Sequence, residues 1–244
     1  MRFARRGNGI IVALKEFTLS DGTVIRAGTA GGYIAHSRNL FQSGTAWVLP
    51  GGIVTGDASV SGDAIIGSSA VISGSARVQG EARVISGEVS GKARVADEAD
   101  IAGSSTKIYG SAIIYGKAKV LDGAQVFERA RVYGNAVVSG PYAMISASAR
   151  IFGHADVRCL VTSKAGGSGV PGYNIDDSPS ISGCVETDTV SQVLCDARVA
   201  GCVILRNTIL DCDAIVYGDL LIEDQVINDA GYVTNCPEKK CCPD

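Results

Sequence analysis

The sequence predicts an all-β protein, and three observations lead to that class. Glycine is abundant, at 31 of 244 residues, whereas aromatic residues make up only 6%. The apolar residues are mainly Ala, Val and Ile, which suit short strands better than helix bundles. Above all, a six-residue pattern recurs from Gly56 onward: Gly, a polar residue, Ala, any residue, Val or Ile, and any residue.

The aliphatic position of this pattern keeps its period with few slips. Thirteen of its sixteen steps from Val60 to Val157 are six residues long, two are seven and one is five. Ala and the aliphatic residue two places later lie on the same face of a short strand, with the residue between them pointing outward. One such strand cannot bury its own apolar row, but stacked coils can. The pattern therefore predicts a single-stranded parallel β-helix of hexapeptide repeats.

This pattern resembles the hexapeptide-repeat proteins with a left-handed parallel β-helix, whose triangular coils hold three hexapeptides each. The left hand is what the resemblance implies; the period does not establish it. The segment Ala27–Ile34, followed by Asn39-Leu40 and Ala46–Val48, resembles more narrowly the N-terminal cap of a branch found in phage and prophage genes and in YdcK-like bacterial proteins. The resemblance covers residues 27–157 well and the rest loosely.

Composition along the chain predicts five segments. Residues 10–26 read as a hairpin around the turn dipeptide Asp21-Gly22, within a cap that closes the open end of the β-helix. The repeat fails after residue 158, where Gly- and Pro-rich residues indicate a surface loop. The predicted segments are an N-terminal β cap (1–46), the regular β-helix (47–158), an excursion loop (159–180), a less regular β-helix block (181–233) and a Cys- and Pro-rich tail (234–244).

Outward residues sort into ladders if every third hexapeptide stacks about 4.8 Å above the last. One face then carries four arginines, and an aromatic ladder runs directly beside them. A second face carries two further aromatic residues. The predicted surface residues are Arg77, Arg94, Arg131 and Arg150; Tyr115, Tyr133 and Phe152; and Tyr109 and Phe127.

Three interpretations of these ladders remain open. Exposed aromatic stacks are unusual on a monomer, so they indicate a contact surface. Similar proteins are commonly trimers, which favours burial between protomers. The alternatives are binding of a carbohydrate or an anionic polymer, and a solvated surface whose arginines pair with acids such as Glu81 or Glu128.

The acyltransferases among the similar proteins use a histidine base near a subunit interface, with coenzyme A lying along the coils. This chain has two histidines, His36 in the cap motif and His154 in an outward polar position of an ordinary repeat. Neither has the loop context that such a base is expected to have. His154 is the catalytic candidate if the protein is an acyltransferase.

The eight cysteines begin at Cys159. Cys184 and Cys202 are 18 residues apart and Cys195 and Cys212 are 17 apart, so each pair is expected to stack on adjacent coils. Strand spacing would permit a disulfide in each pair, but free thiols are favoured in a reducing cytoplasm. A tail cluster offers only three sulfurs, not the four of a structural zinc site, which makes it a weak metal candidate with a disulfide as the alternative. The cluster consists of Cys236, Cys241 and Cys242.

Composition and motifs also limit the range of possible functions. A net charge of −3 argues against a globally basic nucleic-acid binder, and neither a signal peptide nor a membrane span is found in the sequence. The expectation is a non-enzymatic scaffold without a cofactor, located in a virion or in the cytoplasm. It would act as a phage or prophage tail fibre, spike or decoration module that contacts other virion proteins or a host surface polymer. The alternatives are an acyltransferase that uses coenzyme A and a cytoplasmic adaptor or host-interaction protein.

Overall fold

The chain folds as a parallel β-helix with an antiparallel β cap at its N-terminus. Among the described residues the only helix is the 3-10 turn Ser37–Asn39, and none is long and apolar enough to span a membrane. The computed structural model describes residues 1–141, 143–146, 148–158, 173–175, 180–182, 184–187, 192–193, 197–210, 214–227 and 232–234.

Each coil places strands on three faces, numbered here in the order in which the chain visits them. On face 1, Arg77 pairs with Ser59 of the coil before and Arg94 of the coil after, so one coil takes 17 to 19 residues. The strands of face 1 are Ser59–Val60, Arg77–Val78, Arg94–Val95, Ile113–Ile114, Arg131–Val132, Arg150–Phe152, Ser180–Ser182, Arg198–Arg206, Ile215–Glu223 and Tyr232–Thr234.

Two further faces complete the coil. Four strands bend around a corner, so that Ile65–Ile72 and Arg83–Val89 serve faces 2 and 3, and Arg198–Arg206 and Ile215–Glu223 extend from face 1 to face 2. The other strands of face 2 are Trp47–Val48, Asp100–Ile101, Lys119–Leu121, Val137–Ser139, Asp156–Arg158 and Cys184–Thr187. Those of face 3 are Ala30–Ile34, Ile53–Val54, Lys107–Ile108, Gln125–Val126, Ala143–Ile145, Tyr173–Ile175, Gln192–Val193, Ile209–Leu210 and Val226–Ile227.

The interior is filled by the Ala and aliphatic positions of the repeat. Ala76 and Val78 are 0% exposed, as are their counterparts in neighbouring coils, such as Ala93 and Val95. Because Ala is small, it leaves room for the branched side chain beside it. The two side chains together fill the narrow core without voids. The predicted inward face of the repeat is confirmed.

The cap seals the first coil with aromatic residues. Its strands are Phe3–Arg5, Ile10–Ala13, Phe17–Thr18 and Val24–Ile25. Trp47 is fully buried, and the rings of Phe3 and Phe17 meet it edge-on at centroid distances of 6.4 and 5.4 Å. The guanidinium of Arg2 lies 4.8 Å from the ring centroid of Phe17. This cation–π contact covers the apolar end of the core.

The Gly-Gly pair of the cap motif is required by close packing. A Cβ on Gly31 would lie 2.6 Å from Val48 O and 2.7 Å from Trp47 Cζ2. A Cβ on Gly32 would likewise collide with the backbone of Gly52. Only glycine lets the first parallel strand approach the buried tryptophan so closely.

The predicted hairpin of residues 10–26 is wrong in its strand partners. The turn at Asp21-Gly22 joins Phe17–Thr18 to Val24–Ile25. Ile10–Ala13 instead pairs antiparallel with Phe3–Arg5 and Ala30–Ile34. The apolar run of Ile10–Ala13 is nearly all buried, which suits an inner cap strand rather than one arm of an exposed hairpin.

Parallel stacking also extends beyond two of the predicted segment limits. Tyr33 and Ile34 pair in parallel with Ile53–Val54, so stacking begins inside residues 1–46. Tyr173–Ile175, inside residues 159–180, pairs with Ala143–Ile145 and forms a rung of face 3. The repeat pattern missed this rung because Tyr173 occupies the position of the usual Ala. The remaining loop residues 159–172 and 176–179 and the tail 235–244 lie outside the described part of the chain.

Candidate docking surface

Face 1 carries the predicted arginine ladder in register. Arg77 pairs with Arg94, and Arg131 pairs with Arg150, while Ile113 occupies the level between the two pairs. All four arginine side chains are exposed. Within the described part of the chain, none of them forms an ion pair with an acidic side chain. Face 1 therefore presents a line of uncompensated positive charge.

The aromatic strip, defined as Tyr115, Tyr133 and Phe152, follows the corner between face 1 and face 2. Its ring centroids are 4.8 and 5.1 Å apart, and the rings are tilted by only 5° and 6°. Each ring comes one residue after a buried aliphatic residue, so the coil spacing sets the distance between rings. The rings are half-buried in the single chain.

This stacking limits what the aromatic strip can bind. Where Tyr133 lies between Tyr115 and Phe152, both of its ring faces are already covered. At Tyr133 only the ring edge and the hydroxyl remain for a partner. A nucleic-acid base or a sugar ring that needs an open aromatic face cannot insert there. A flat partner surface that packs against ring edges suits the strip better.

A second aromatic pair bounds face 1 on its other side. The rings of Tyr109 and Phe127 are 4.9 Å apart and nearly parallel, with an angle of 1° between them. They follow the last aliphatic residues of face 3, at the corner before face 1. Face 1 with its two aromatic borders is called the docking panel below.

Electrostatics couple the panel's tyrosines to its charges. Partial burial raises the pKa of Tyr115, and the neighbouring Tyr133 raises it further, while Arg131 and Arg150 lower it. Partial burial also raises the pKa of Tyr109, with Glu128 acting in the same direction. Both phenols are therefore held in the neutral form, which can donate a hydrogen bond to a partner.

The composition of the panel is that of an interface core. Tyrosine, phenylalanine and arginine are enriched at the centres of protein interfaces, where lysine and glutamate are depleted. The stretch from Tyr109 to Phe152 places these three residue types on face 1 and its two bordering corners, with Ile113 among them. A scan of protein-family models and a search of curated proteins both find no match to this chain.

The two histidines lie on the surface of the described part of the chain. His36 is exposed and precedes the 3-10 turn, where its backbone N–H donates to Asn39 Oδ1 at 2.7 Å. His154 is exposed on the turn after Phe152. Neither side chain forms a hydrogen bond or ion pair with another described residue. Neither histidine lines the clefts beside Ser111 and Gln125 on the described coils.

The cysteine predictions lie mostly outside the described residues. The backbone of Cys184 pairs in parallel with that of Cys202, as the 18-residue spacing predicts. Cys195, Cys212 and the tail cluster of Cys236, Cys241 and Cys242 are not among the described positions, and neither is Cys159. Among the described residues, no group of three His, Cys, Asp or Glu side chains could hold a metal ion.

Sequence reasoning missed a charged groove beside the cap. The hairpin tip reaches over face 2, where Ser20 Oγ donates to Asp63 O at 3.1 Å. A hydrogen bond from Thr23 N–H lowers the pKa of Asp21, an effect to which the charge of Arg83 adds. The turn dipeptide predicts the hairpin, but the position of its tip depends on the path of the whole cap. The groove has a volume of about 370 Å³ and is lined by Ser20, Asp21, Glu81, Arg83, Glu98, Asp100, Lys117 and Lys119.

Proposed function

We propose that this protein is a non-enzymatic, rigid β-helix scaffold that serves as a component of a phage or prophage virion, such as a tail fibre, a spike or a decoration module. The docking panel is the observation that carries the proposal. It combines ordered aromatic edges with arginines that have no acidic partner in the described chain. Such a surface is suited to assembly rather than to chemistry on a small substrate.

Rigidity supports the scaffold role. Consecutive coils are joined by backbone hydrogen bonds on every face, for example from Arg77 N to Ala93 O and from Gln79 N to Val95 O, both at 2.9 Å. The core alanines and aliphatic residues that these bonds enclose are fully buried. Because each strand is fixed both above and below, the panel's side chains keep their spacing without a partner. A preorganised surface loses little conformational entropy on assembly.

The virion location rests on the cap. Its motif, Ala27–Ile34 with Asn39-Leu40 and Ala46–Val48, resembles the cap of phage and prophage proteins. The motif corresponds to a physical seal, since Gly31 and Gly32 allow the first coil to close over Trp47. A sealed end allows the β-helix to be presented to solvent without exposing its core.

The acyltransferase alternative depends on His154. A general base must lie within hydrogen-bond reach of its acceptor and works best where water is excluded. His154 is exposed on an outward turn of the coil. The exposed position of His154 therefore favours a scaffold over an acyltransferase that uses coenzyme A. The cap motif favours a virion component over a cytoplasmic adaptor.

Particle composition tests the proposal. Virions purified from an induced culture of the source cells are analysed by quantitative mass spectrometry, with the cleared lysate as reference. We expect this chain at a constant copy number per particle. Its absence from particles, despite abundance in the lysate, would overturn the virion role. In parallel, calorimetry with acetyl-coenzyme A should detect no binding, whereas saturable binding that is lost in His154→Ala would establish the acyltransferase instead.

A further inference from the structure

A second column of cations runs beside the arginine ladder on face 1. Each face 1 strand has two outward positions, one on either side of the buried alanine, and Lys92 and Arg129 occupy the position before it. Backbone hydrogen bonds such as that from Lys92 N to Gly110 O, at 2.6 Å, keep this column stacked like the first. Together with the four arginines of the ladder, face 1 exposes six cations over five successive coils.

These cations are separated from the acidic residues of the chain. From Ser75 to Arg150, the described outward positions of the face 1 strands hold cations, serines and Ile113, and no acidic residue. Asp97 and Glu128 lie at the corners that border face 1, where their backbone has a positive φ. The whole chain carries a net charge of −3. Face 1 therefore attracts a polyanion through its local field and not through the net charge of the protein.

We propose that face 1 binds an extended acidic polysaccharide, whose carboxylates pair with the cations while the polymer runs parallel to the axis of the β-helix. This binding site gives the docking panel its partner and thus rests on the proposed scaffold function. A guanidinium can hold a carboxylate through two parallel hydrogen bonds, and five of the six cations are arginines. From Arg77 to Arg150 the ladder covers four coil-to-coil steps of about 4.8 Å, which accommodates several sugar units in a row.

The middle coil of the ladder favours a sugar chain over a polymer that is charged along its whole backbone. Its two outward residues are Ser111 and the half-buried Ile113, so this level has no cation. Each neighbouring coil carries a cation pair at these positions: Lys92 with Arg94, and Arg129 with Arg131. A continuous phosphate backbone would place a charge against the isoleucine. A sugar ring places C–H groups there instead, and its hydroxyls can bond the serine.

The aromatic borders of face 1 act on the polymer through their edges. Both ring faces of Tyr133 are covered by its neighbours, so a sugar ring cannot stack on it. Partial burial raises the pKa of Tyr109 and Tyr115, which keeps both hydroxyls protonated. One of these tyrosines lies on each side of face 1, where its hydroxyl can donate to an oxygen of a sugar. The polymer therefore lies on the strands between the two borders.

Other anionic partners fit this surface less well. Single-stranded nucleic acid gains affinity from bases stacked on open aromatic faces, which Tyr133 does not offer. An extended polypeptide presents side chains on one side about every 6.8 Å, out of step with coils about 4.8 Å apart. An anionic membrane needs a broad basic surface, but face 2 exposes Glu81 and Glu98 beyond the aromatic strip. An extended 1,4-linked polysaccharide advances by close to one coil spacing per sugar, so its carboxylates stay in step with the ladder.

Calorimetric titration of the full chain with oligogalacturonate tests the inference, because this polymer carries one carboxylate on each sugar. We expect saturable binding that weakens as the salt concentration rises, since salt screens the paired charges. The methyl ester of the same oligomer is the matched ligand control, because it keeps the sugar chain and removes the charge. It should not bind. Equal binding of the ester, or no binding of the charged oligomer, would overturn the inference.

Substitutions then locate the site on face 1. Arg94→Ala and Arg131→Ala should each raise the dissociation constant about tenfold, because each removes a paired guanidinium. Ile113→Glu should abolish binding, since it places a carboxylate against those of the polymer. Arg83→Ala is the matched control, because Arg83 is an exposed arginine of face 2 and its loss changes the net charge equally. Circular dichroism verifies that the variants keep their strands, and equal weakening by Arg83→Ala would overturn the site.

Two further probes distinguish the class of polymer. A thymidine oligonucleotide and polyglutamate are titrated under the same conditions, and tighter binding of either than of oligogalacturonate would overturn the polysaccharide assignment. Particle composition separates this inference from the proposed function. A protein that is present in virions but binds no oligogalacturonate overturns the inference alone. A protein that binds the polymer but is absent from virions overturns the proposed function and leaves the site on face 1 intact.

Discussion

Thr106 Oγ1 accepts a hydrogen bond from the backbone N–H of Gly123 at 2.9 Å, between neighbouring coils. The same hydroxyl donates to Ala102 O at 2.7 Å. Thr106 occupies the interior position that alanine holds in ordinary repeats, and it is fully buried. It lies at the seven-residue step between Ile101 and Ile108, where the longer turn changes the local backbone bonding. The threonine hydroxyl therefore supplies the acceptor for the N–H of Gly123 and a second donor to the carbonyl of Ala102 at this slip.

Thr106→Val should therefore destabilise the protein although it preserves shape. The change leaves the N–H of Gly123 without its acceptor, while the carbonyl of Ala102 keeps its bond from the N–H of Asp122 at 3.1 Å; the lost bond costs about 1–3 kcal/mol. Thr55→Val is the control, since Thr55 is a half-buried corner residue whose hydroxyl bonds no other described residue. Urea unfolding measures both free energies. Equal effects from the two changes would contradict the bridging role of Thr106.

Substitutions at three glycines distinguish the effect of steric contact on stability from the effect of backbone conformation. Gly67→Ala should cost about 3 kcal/mol, because its Cβ would collide with Ile85 O in the next coil. Gly22→Ala should cost about 1 kcal/mol, since Gly22 has a φ of 87° but open space around it. Gly7→Ala should stay within about 0.5 kcal/mol, because neither constraint applies. Thermal and urea unfolding give the order, and a Gly67→Ala cost no larger than that of Gly22→Ala would refute the close approach of the coils.

Asn39 should be essential to the cap. Its Nδ2 donates to Gly56 O at 3.0 Å and to Ala58 O at 2.7 Å, and its Oδ1 accepts from His36 N–H. Asn39→Ala should lower the free energy of unfolding by about 2–3 kcal/mol, since buried backbone groups lose their partners. The exposed Asn8→Ala serves as control, with an expected change of about 0.5 kcal/mol or less. A small loss at residue 39, measured by urea unfolding, would mean that water replaces the amide.

At alkaline pH, deprotonation of Tyr115 in the docking panel should lower the free energy of unfolding. Burial chiefly raises the pKa of Tyr115 in the folded chain. The unfolded chain therefore loses this proton first, and the stabilisation that is complete below about pH 10 is lost as the pH rises further. Tyr115→Phe should show a weaker fall, as followed by the urea midpoint against pH. A steeper fall in the variant would reverse the sign assigned here.

The repeat predicted the surface ladders because stacking is nearly invariant along the chain. Arg77 lies over Arg94, and Tyr115 lies over Tyr133, as an 18-residue coil requires. The slips of five and seven residues are absorbed at corners, so they do not shift the ladders out of register. The local sequence was therefore sufficient to predict almost all of the candidate docking surface.

The features that the sequence did not predict depend on contacts between residues far apart in the chain. The apolar run Ile10–Ala13 fitted an exposed hairpin as well as an inner cap strand, and only its burial against the first coil distinguishes them. Asp97 has a φ of 60° where the stacked Gly80 and Gly116 also have positive φ. The repeat pattern expects glycine there, but Asp97 accepts a hydrogen bond from Gly116 N–H at 3.1 Å. Aspartate is one of the few residues that tolerate this conformation.

The register of the coils also sets how the protein would respond to a pulling force. Each coil contacts only its neighbours, so a chain held at its two ends would peel away one coil at a time. A regular coil of 17 to 19 residues would release about 60 Å of contour length. Between Arg150 and its partner Ser180 the path is 30 residues long. One step near 100 Å would therefore interrupt an otherwise even series and mark the position of that coil in the force trace.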